Sequence, residues 1–337
     1  MKKLVGVVFL LAFLVSAGLR AEEPAALFPV KKDGKWGYLD KTGKIVIKPQ
    51  FDRAEPFFEG LAVAWMNDLA GFINPAGKFV IPAKFRGRPF YFSEGLALYS
   101  ETDRSETPDW GKEKYGYLDK TGKLAVKLQY YDARAFSEGL AAVQVGSEDG
   151  KYGYIDKTGK MVIKPEFDPT YEFGEGLAAV ESNGKWGFID KTGKFVISPL
   201  YEYAGRFREG LGNVTKGGLC GYIDKTGKEV IPFQFGEGYP FYQGLASVTV
   251  KEKYGFIDKT GKVVIEPKYD YVGFMESEVT YFELNGNRGL MDRAGKIVVE
   301  PKFSFIDNCS RGVCRLTEGL MEGYIDYQGK VIWAPSE

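Results

Sequence analysis

The 337-residue chain contains no histidine. That absence removes Ser-His-Asp and Cys-His catalysis and every zinc site built on imidazole. Cysteine is scarce. Cys220, Cys309 and Cys314 are too few for a four-cysteine metal site, and none has a histidine to act as its base. An excess of either charge is missing too, with 45 basic against 45 acidic residues. Lysine and aspartate alternate along the chain, so no basic face is offered to a phosphate backbone, and nucleic acid is excluded as a partner. No stretch holds apolar residues at helical spacing over about three turns, which disfavours a helical repeat.

The first residues form the one long apolar run. Met1, Lys2 and Lys3 precede Leu4 to Val15, then Ser16, Ala17 and Gly18. A basic head, a short apolar core and small residues after it make a secretory signal peptide, expected to cover residues 1–21. The run is too short for a confident membrane span, and no second one follows. No cysteine follows it either, which argues against a lipid anchor. Removal of Lys2, Lys3 and Arg20 leaves 45 − 3 = 42 basic residues against 45 acidic, a net charge near −3. With 44% apolar and 15% aromatic residues, the remaining 22–337 can bury a continuous core as one domain.

What the chain has in abundance is repetition. Gly37, Gly71, Gly116, Gly153, Gly187, Gly221, Gly255, Gly289 and Gly323 are separated by 34, 45, 37, 34, 34, 34, 34 and 34 residues. A fixed period of this size means stacked supersecondary units. In the fifth unit, Lys185-Trp-Gly-Phe-Ile-Asp190 leads through Lys191-Thr-Gly-Lys194 to Phe195-Val-Ile-Ser-Pro199, then to Tyr201, Phe207 and Glu209-Gly-Leu211. Short runs of aromatic and β-branched residues bounded by Gly, Asn, Asp and Pro are strands. Pro at the end of the third run (Pro49, Pro165, Pro199) is expected to end the ladder, since it lacks an N–H.

Asp-Lys-Thr-Gly-Lys begins at Asp40, Asp119, Asp156, Asp190, Asp224 and Asp258, and Asp292 and Asp326 open related turns. Asp bonds its own backbone two residues on, and the glycine supplies a positive φ, so this is a hairpin connection. The same tetrapeptide carries the phosphorylated aspartate of cation pumps, but six copies in a chain without membrane helices are turns. One carboxylate per unit also falls short of the six to eight oxygens around Ca²⁺. A second hairpin joins each Glu-Gly-Leu strand to the next Trp/Tyr-Gly strand, as at Asn183-Gly184.

Two insertions fall at the tip of that second hairpin, Glu101 to Lys114 and Gly146 to Gly150. Both are polar, as surface tips tolerate. The longer one carries the candidate partner-binding residues Asp109, Trp110, Lys112 and Glu113. Aromatics flank the marker glycines on both sides (Trp36 and Tyr38, Trp186 and Phe188), and on a strand both point to one face. That stripe is either the inter-unit core or a stacking platform for sugar rings. Ala70, Cys220, Arg288 and Glu322 interrupt it, which suits packing. In an oxidising compartment Cys309 and Cys314 are candidates for a disulfide, and Cys220 for a buried filler.

These motifs resemble the WG-repeat family of bacterial proteins, over Lys35 to about Trp333. The resemblance implies a β-stranded array, commonly secreted or at the cell surface, with no catalytic residue, metal or cofactor to carry over. Departures cluster towards the ends, as capping units require. The expected fold is all-β: about nine three-stranded antiparallel meanders in an open, solenoid-like or superhelical array. A closed propeller-like ring is the alternative, since propeller blades usually have four strands in 40 or more residues. The expected function is a non-enzymatic scaffold, periplasmic or secreted, for a protein or peptide partner. A module for cell-wall or other glycans is the alternative, and a carboxylate-based hydrolase stands behind both.

Overall fold

A computed structural model describes residues 26–103, 112–318 and 321–336. The expected signal peptide lies outside the described residues. Within them every regular element is a strand, and no helix is long and apolar enough to cross a membrane. The strands form nine antiparallel sheets, each built from consecutive strands lying side by side. In chain order sheets 1 to 9 span 27–51, 53–85, 88–130, 132–167, 178–201, 203–235, 245–269, 271–303 and 305–336.

Sheet 6 shows the plan. Tyr203–Ala204, Gly212–Lys216, Leu219–Ile223 and Glu229–Phe235 lie in that order. The two middle strands are buried, and the last alternates between exposed and buried, so it is the outer edge. The meander read from the sequence is therefore present, with a two-residue fourth strand on its inner side. In sheets 5 and 7 that strand shrinks to single bridges, Thr170↔Val180 and Gly238↔Val248.

The array is closed, not open. Nine sheets in a row would share eight interfaces, but nine buried apolar clusters are present, one between each pair of neighbours. The ninth joins Phe28, Val30 and Leu39 of sheet 1 to Val313 and Tyr324 of sheet 9. Across this seam the Phe28 and Tyr324 rings lie 5.7 Å apart, and the Tyr324 hydroxyl donates to the Pro29 carbonyl at 2.7 Å. The terminal units are thus each other's neighbours rather than caps. The objection from blade length fails because the fourth strand needs only two residues.

The half of the aromatic stripe that follows the marker glycines is core, while Trp36, Tyr115 and Tyr254 before them are only partly buried. Tyr38, Phe72, Tyr117, Tyr154, Phe188 and Tyr222 are fully buried, each against an aromatic ring of the following sheet, as Phe188 against Phe207 at 4.7 Å. Tyrosine at this position also finds a partner for its hydroxyl: Tyr38 donates to the Glu55 carbonyl, Tyr117 to that of Arg134 and Tyr222 to that of Tyr239.

The marker glycine has a steric cause. Trp186 pairs with Tyr201 but Phe188 with Ile197, so Ser198, Pro199 and Leu200 all face Gly187. Proline does not end this strand; it sits in a bulge through which Phe195–Tyr201 continues. The bulged backbone folds over the glycine, and a Cβ there would stand 2.6 Å from the Ile197 carbonyl oxygen and 2.7 Å from the Pro199 nitrogen. The same shift recurs in sheets 1 to 8. Except in sheet 3, where it is Lys127-Leu128-Gln129, the bulge contains a proline, which blunts the outer edge against pairing with another chain.

Two glycines of one unit should therefore respond differently to alanine. Gly210 has φ +86 but nothing within 4 Å of its would-be Cβ, so Gly210→Ala should cost about 1–2 kcal/mol of backbone strain. Gly187→Ala has no room and should cost about 3 kcal/mol or prevent folding. Urea unfolding of the two variants measures this, and equal midpoints would count against the close approach.

Candidate functional site

The ring has two faces of different chemistry. Each Trp/Tyr-Gly strand starts at a hairpin tip and ends at an Asp-Lys-Thr-Gly turn, so tips and turns lie at opposite ends of the sheets.

On the turn face, aspartate is spent locally. Asp190 Oδ1 accepts from the Thr192 N–H at 2.8 Å, the Thr192 hydroxyl at 2.6 Å and the Lys194 N–H at 3.1 Å. The Thr192 hydroxyl chiefly holds the Asp190 carboxyl below its ordinary pKa. Asn74 makes the same two backbone contacts in sheet 2.

The lysine of that turn reaches further. Glu209 and Gly210 both have positive φ, which makes a tight two-residue connection. The Glu209 carboxylate extends to the next sheet, where it accepts from the Gly244 N–H at 2.9 Å and meets Lys259 at 3.0 Å. Four more links repeat this around the ring: Glu59 with Gly95 and Lys120, Glu94 with Gly139 and Lys157, Glu138 with Gly176 and Lys191, and Glu175 with Gly210 and Lys225. In sheet 7 Gln243 takes the glutamate's place and Arg293 the lysine's. Partial burial pushes the carboxyls of Glu59, Glu94, Glu175 and Glu209 up, but the lysines and the N–H donors outweigh it and hold them below the usual range.

On the tip face the two insertions converge. The longer one extends its hairpin rather than forming a loop from Glu101 onwards: Leu96–Asp103 pairs with Lys112–Asp119 up to Asp103↔Lys112. Asp109 and Trp110 lie outside the described residues. Lys112 is a ladder residue. Glu113 turns back along the sheet, accepting from the Ser100 hydroxyl at 2.6 Å and the Tyr115 hydroxyl at 3.0 Å. The shorter insertion is held by Gln144, whose amide donates to the Glu148 and Gly150 carbonyls at 2.7 and 2.8 Å.

Between them is a cavity of about 690 Å³, lined by Glu113, Tyr115, Tyr131, Asp132, Gln144, Glu148, Asp149, Gly150, Tyr152, Asp168 and Pro169. Five carboxylates line it and no cation does. Arg134 and Lys151 stand beside it, paired with Asp132 and Asp168. Tyr152 donates to Asp132 at 2.7 Å. Burial, then Asp132, pushes the Tyr152 hydroxyl up to about 12; burial, then Glu113, does the same for Tyr115. Sequence reasoning placed both insertions on one type of hairpin but missed Tyr131, Asp132 and Asp168. The available signal was that the insertions occupy consecutive units.

The cysteines are accounted for. Cys309 and Cys314 are joined in a disulfide with Cα atoms 4.0 Å apart, across the turn of sheet 9. Cys220 is 2% exposed, and burial pushes its thiol up to about 12, which makes it a poor nucleophile at neutral pH.

The profile described as WG containing repeat matches residues 36–69, 71–103, 115–148, 152–186, 186–220, 221–254, 254–287 and 289–317. No curated protein matches the chain. Among solved structures, a eukaryotic initiation factor superposes with a TM-score of 0.65 at 12% identity, over 92% of this chain and 95% of its own. That likeness concerns the fold alone. Two others overlap less. PorZ of Porphyromonas gingivalis, a surface component of the type-IX secretion system, gives 0.39 at 10% identity, over 85% of this chain and 45% of its own. Puromycin hydrolase gives 0.40 at 12% identity, over 77% and 58%.

The turn face fixes the response to acid. The folded pKa of Glu59, Glu94, Glu175 and Glu209 lies below its unfolded value. Their contribution is therefore complete above the unfolded glutamate value of about 4.3, and is lost as pH falls through the folded values. The melting temperature should be flat from about pH 7 to 5 and drop below about pH 4.3, with a smaller drop in Glu175→Gln. A melting temperature that held or rose on acidification would contradict this.

Proposed function

Since the chain belongs to the WG-containing repeat family, we propose that it is an extracytoplasmic, non-enzymatic scaffold that takes a protein or peptide partner on its hairpin-tip face. The observation that carries this is the convergence of both insertions on one cavity. A nine-fold repeat departs strongly from its own period in sheets 3 and 4, and the departures meet. Five carboxylates and three tyrosines complement a lysine- or arginine-bearing segment, through charge and through cation–π contact. Catalysis is not part of this reading. The Glu113 and Asp132 oxygens are engaged by Ser100, Tyr115 and Tyr152, and no histidine exists to move a proton. The N-terminal pattern and the Cys309–Cys314 disulfide support a periplasmic or secreted location.

Glycan binding keeps one specific support: aromatics outside the core positions. Tyr242 and Phe274 stack at 5.2 Å, with the Arg208 guanidinium 3.7 Å over Tyr242. Tyr203 and Phe274 are both more than a third exposed. Pull-down from the secreted fraction beside a glycan array separates the two readings.

The sharper test removes residues 104–111 and joins Asp103 to Lys112 with Asn-Gly, copying the tight turn at Asn183-Gly184. Ladder pairing to Asp103↔Lys112 is kept, so circular dichroism and the melting temperature should stay within a few degrees of wild type. Partner capture should fall sharply, and Asp132→Asn should weaken it further at low salt. Unchanged capture by the shortened protein would return the insertion to a tolerated loop.

A further inference from the structure

The links on the turn face lapse between sheets 8 and 9, where Ser277 and Tyr327 hold the two places, and between sheets 1 and 2, where Pro75 replaces the lysine; at the seam they lapse with a reversal of charge. In five sheets the turn residue is glutamate, and the next sheet's Asp-Lys-Thr-Gly lysine pairs with it. In sheet 9 the turn residue is Arg311, in the same left-handed conformation (φ 52) followed by Gly312. Its counterpart in the next sheet around the ring is Lys41, in the intact Asp40-Lys-Thr-Gly turn. That turn packs on the outer strand of sheet 9, where the Gly43 Cβ position meets Ile332, one residue from the place its equivalents meet on their neighbours. Sheet order therefore brings two cations to a junction of the kind that holds a glutamate and a lysine in five other places. Arg311 and Lys41 are both exposed, and among the described residues neither has an ion pair or hydrogen bond.

Arg311 also lines a cavity of about 650 Å³ at the seam, walled by Phe28, Phe57, Phe58 and Tyr324. The other two arginines there are neutralised in place: Arg53 by Glu55 at 2.7 Å, and Arg315 by Asp307 at 2.7 and 2.9 Å. Arg311 is the cation left over. The Cys309–Cys314 disulfide closes the turn that carries it, and Ser310 pairs with Val313 inside the loop, so the guanidinium is presented from a fixed backbone.

We propose that the seam is a second binding site, which takes a glutamate side chain of an extended peptide segment from a partner protein. Its carboxylate sits between Arg311 and Lys41, and a neighbouring apolar side chain enters the aromatic cavity. Glutamate is the chemistry the ring itself places between a turn and a turn lysine, and charge complementarity selects it over a cationic or neutral segment. The site is independent of the hairpin-tip cavity and does not rest on it.

The probe is fluorescein-labelled Gly-Phe-Glu-Phe-Gly amide, followed by anisotropy at low salt, with the Gln counterpart as control. Wild type should bind the Glu peptide roughly 10-fold more tightly than the Gln peptide, and 0.5 M salt should erase the difference. Arg311→Glu recreates the link found in the other sheets, so it should raise the melting temperature by about 1–3 °C while weakening the peptide roughly 10-fold. Lys41→Glu should weaken it similarly, and covers the case in which Arg311→Glu fails to fold. The protein shortened at residues 104–111 should bind as wild type, which keeps this outcome apart from that of the tip face. Equal affinity for the Glu and Gln peptides, no binding at millimolar concentration, or unchanged binding by both variants would overturn the proposal.

Discussion

Every sheet in this protein is apolar on both sides, and the ring follows from that. Adjacent residues on a strand point to opposite faces. In sheet 5 Phe188 packs towards sheet 6 while Ile189 packs towards sheet 4. The same division holds at both ends of the chain. Tyr38 faces sheet 2 and Leu39 faces sheet 9; Tyr324 faces sheet 1 and Ile325 faces sheet 8. An open array would leave Leu39 on one end and Tyr324 on the other in water. Closure buries both, so the ends of the sequence are seam partners and a polar cap is unnecessary.

The second constraint is the bulge over the marker glycine, which makes a short repeat sufficient. Three residues opposite one bend the outer strand and increase its local twist. Burial of the residues on either side of the glycine then proceeds without a side chain between the strands. The two-residue inner strand is held by the buried aromatic of the preceding sheet: Tyr38 also bonds the Glu55 carbonyl, whereas Phe188 and Phe256 hold the strands of sheets 6 and 8 by packing alone. A 34-residue unit therefore supplies the packing of a blade that usually needs more.

Much of this was legible in the residues. Glycine spacing counted the sheets, Asp-Lys-Thr-Gly-Lys located one hairpin, and Asn183-Gly184 located the other. Ring closure was readable in principle from Leu39 and Tyr324, since a capping unit would have been polar there. Weakened motifs near the ends instead imitate caps. Proline is ambiguous, because a missing N–H fits a bulge as well as a strand end. The Glu209–Lys259 link could not be read at all, because its members belong to different units and meet only once sheets are stacked. Residues such as Tyr131 and Asp132 gain meaning in the same way, from a neighbour that only the ring supplies.

A ring of near-identical units spends its repeated residues on itself. Asp190 serves its turn, Glu209 its neighbour, Tyr222 its interface. Recognition must then reside where the period fails, and two of those places have opposite character. On the tip face of sheets 3 and 4, carboxylates gather without cations in the cavity wall. On the turn face at the seam, Arg311 stands where other sheets place glutamate. The whole-chain balance of 45 basic and 45 acidic residues does not reveal either departure, because each involves only a few residues on one face. The two sites lie on elements whose backbones are fixed by the ring, one by ladder pairing to Asp103↔Lys112 and one by the Cys309–Cys314 disulfide. Both departures are thus anchored on paired backbone, so a partner would meet charges that the fold already positions.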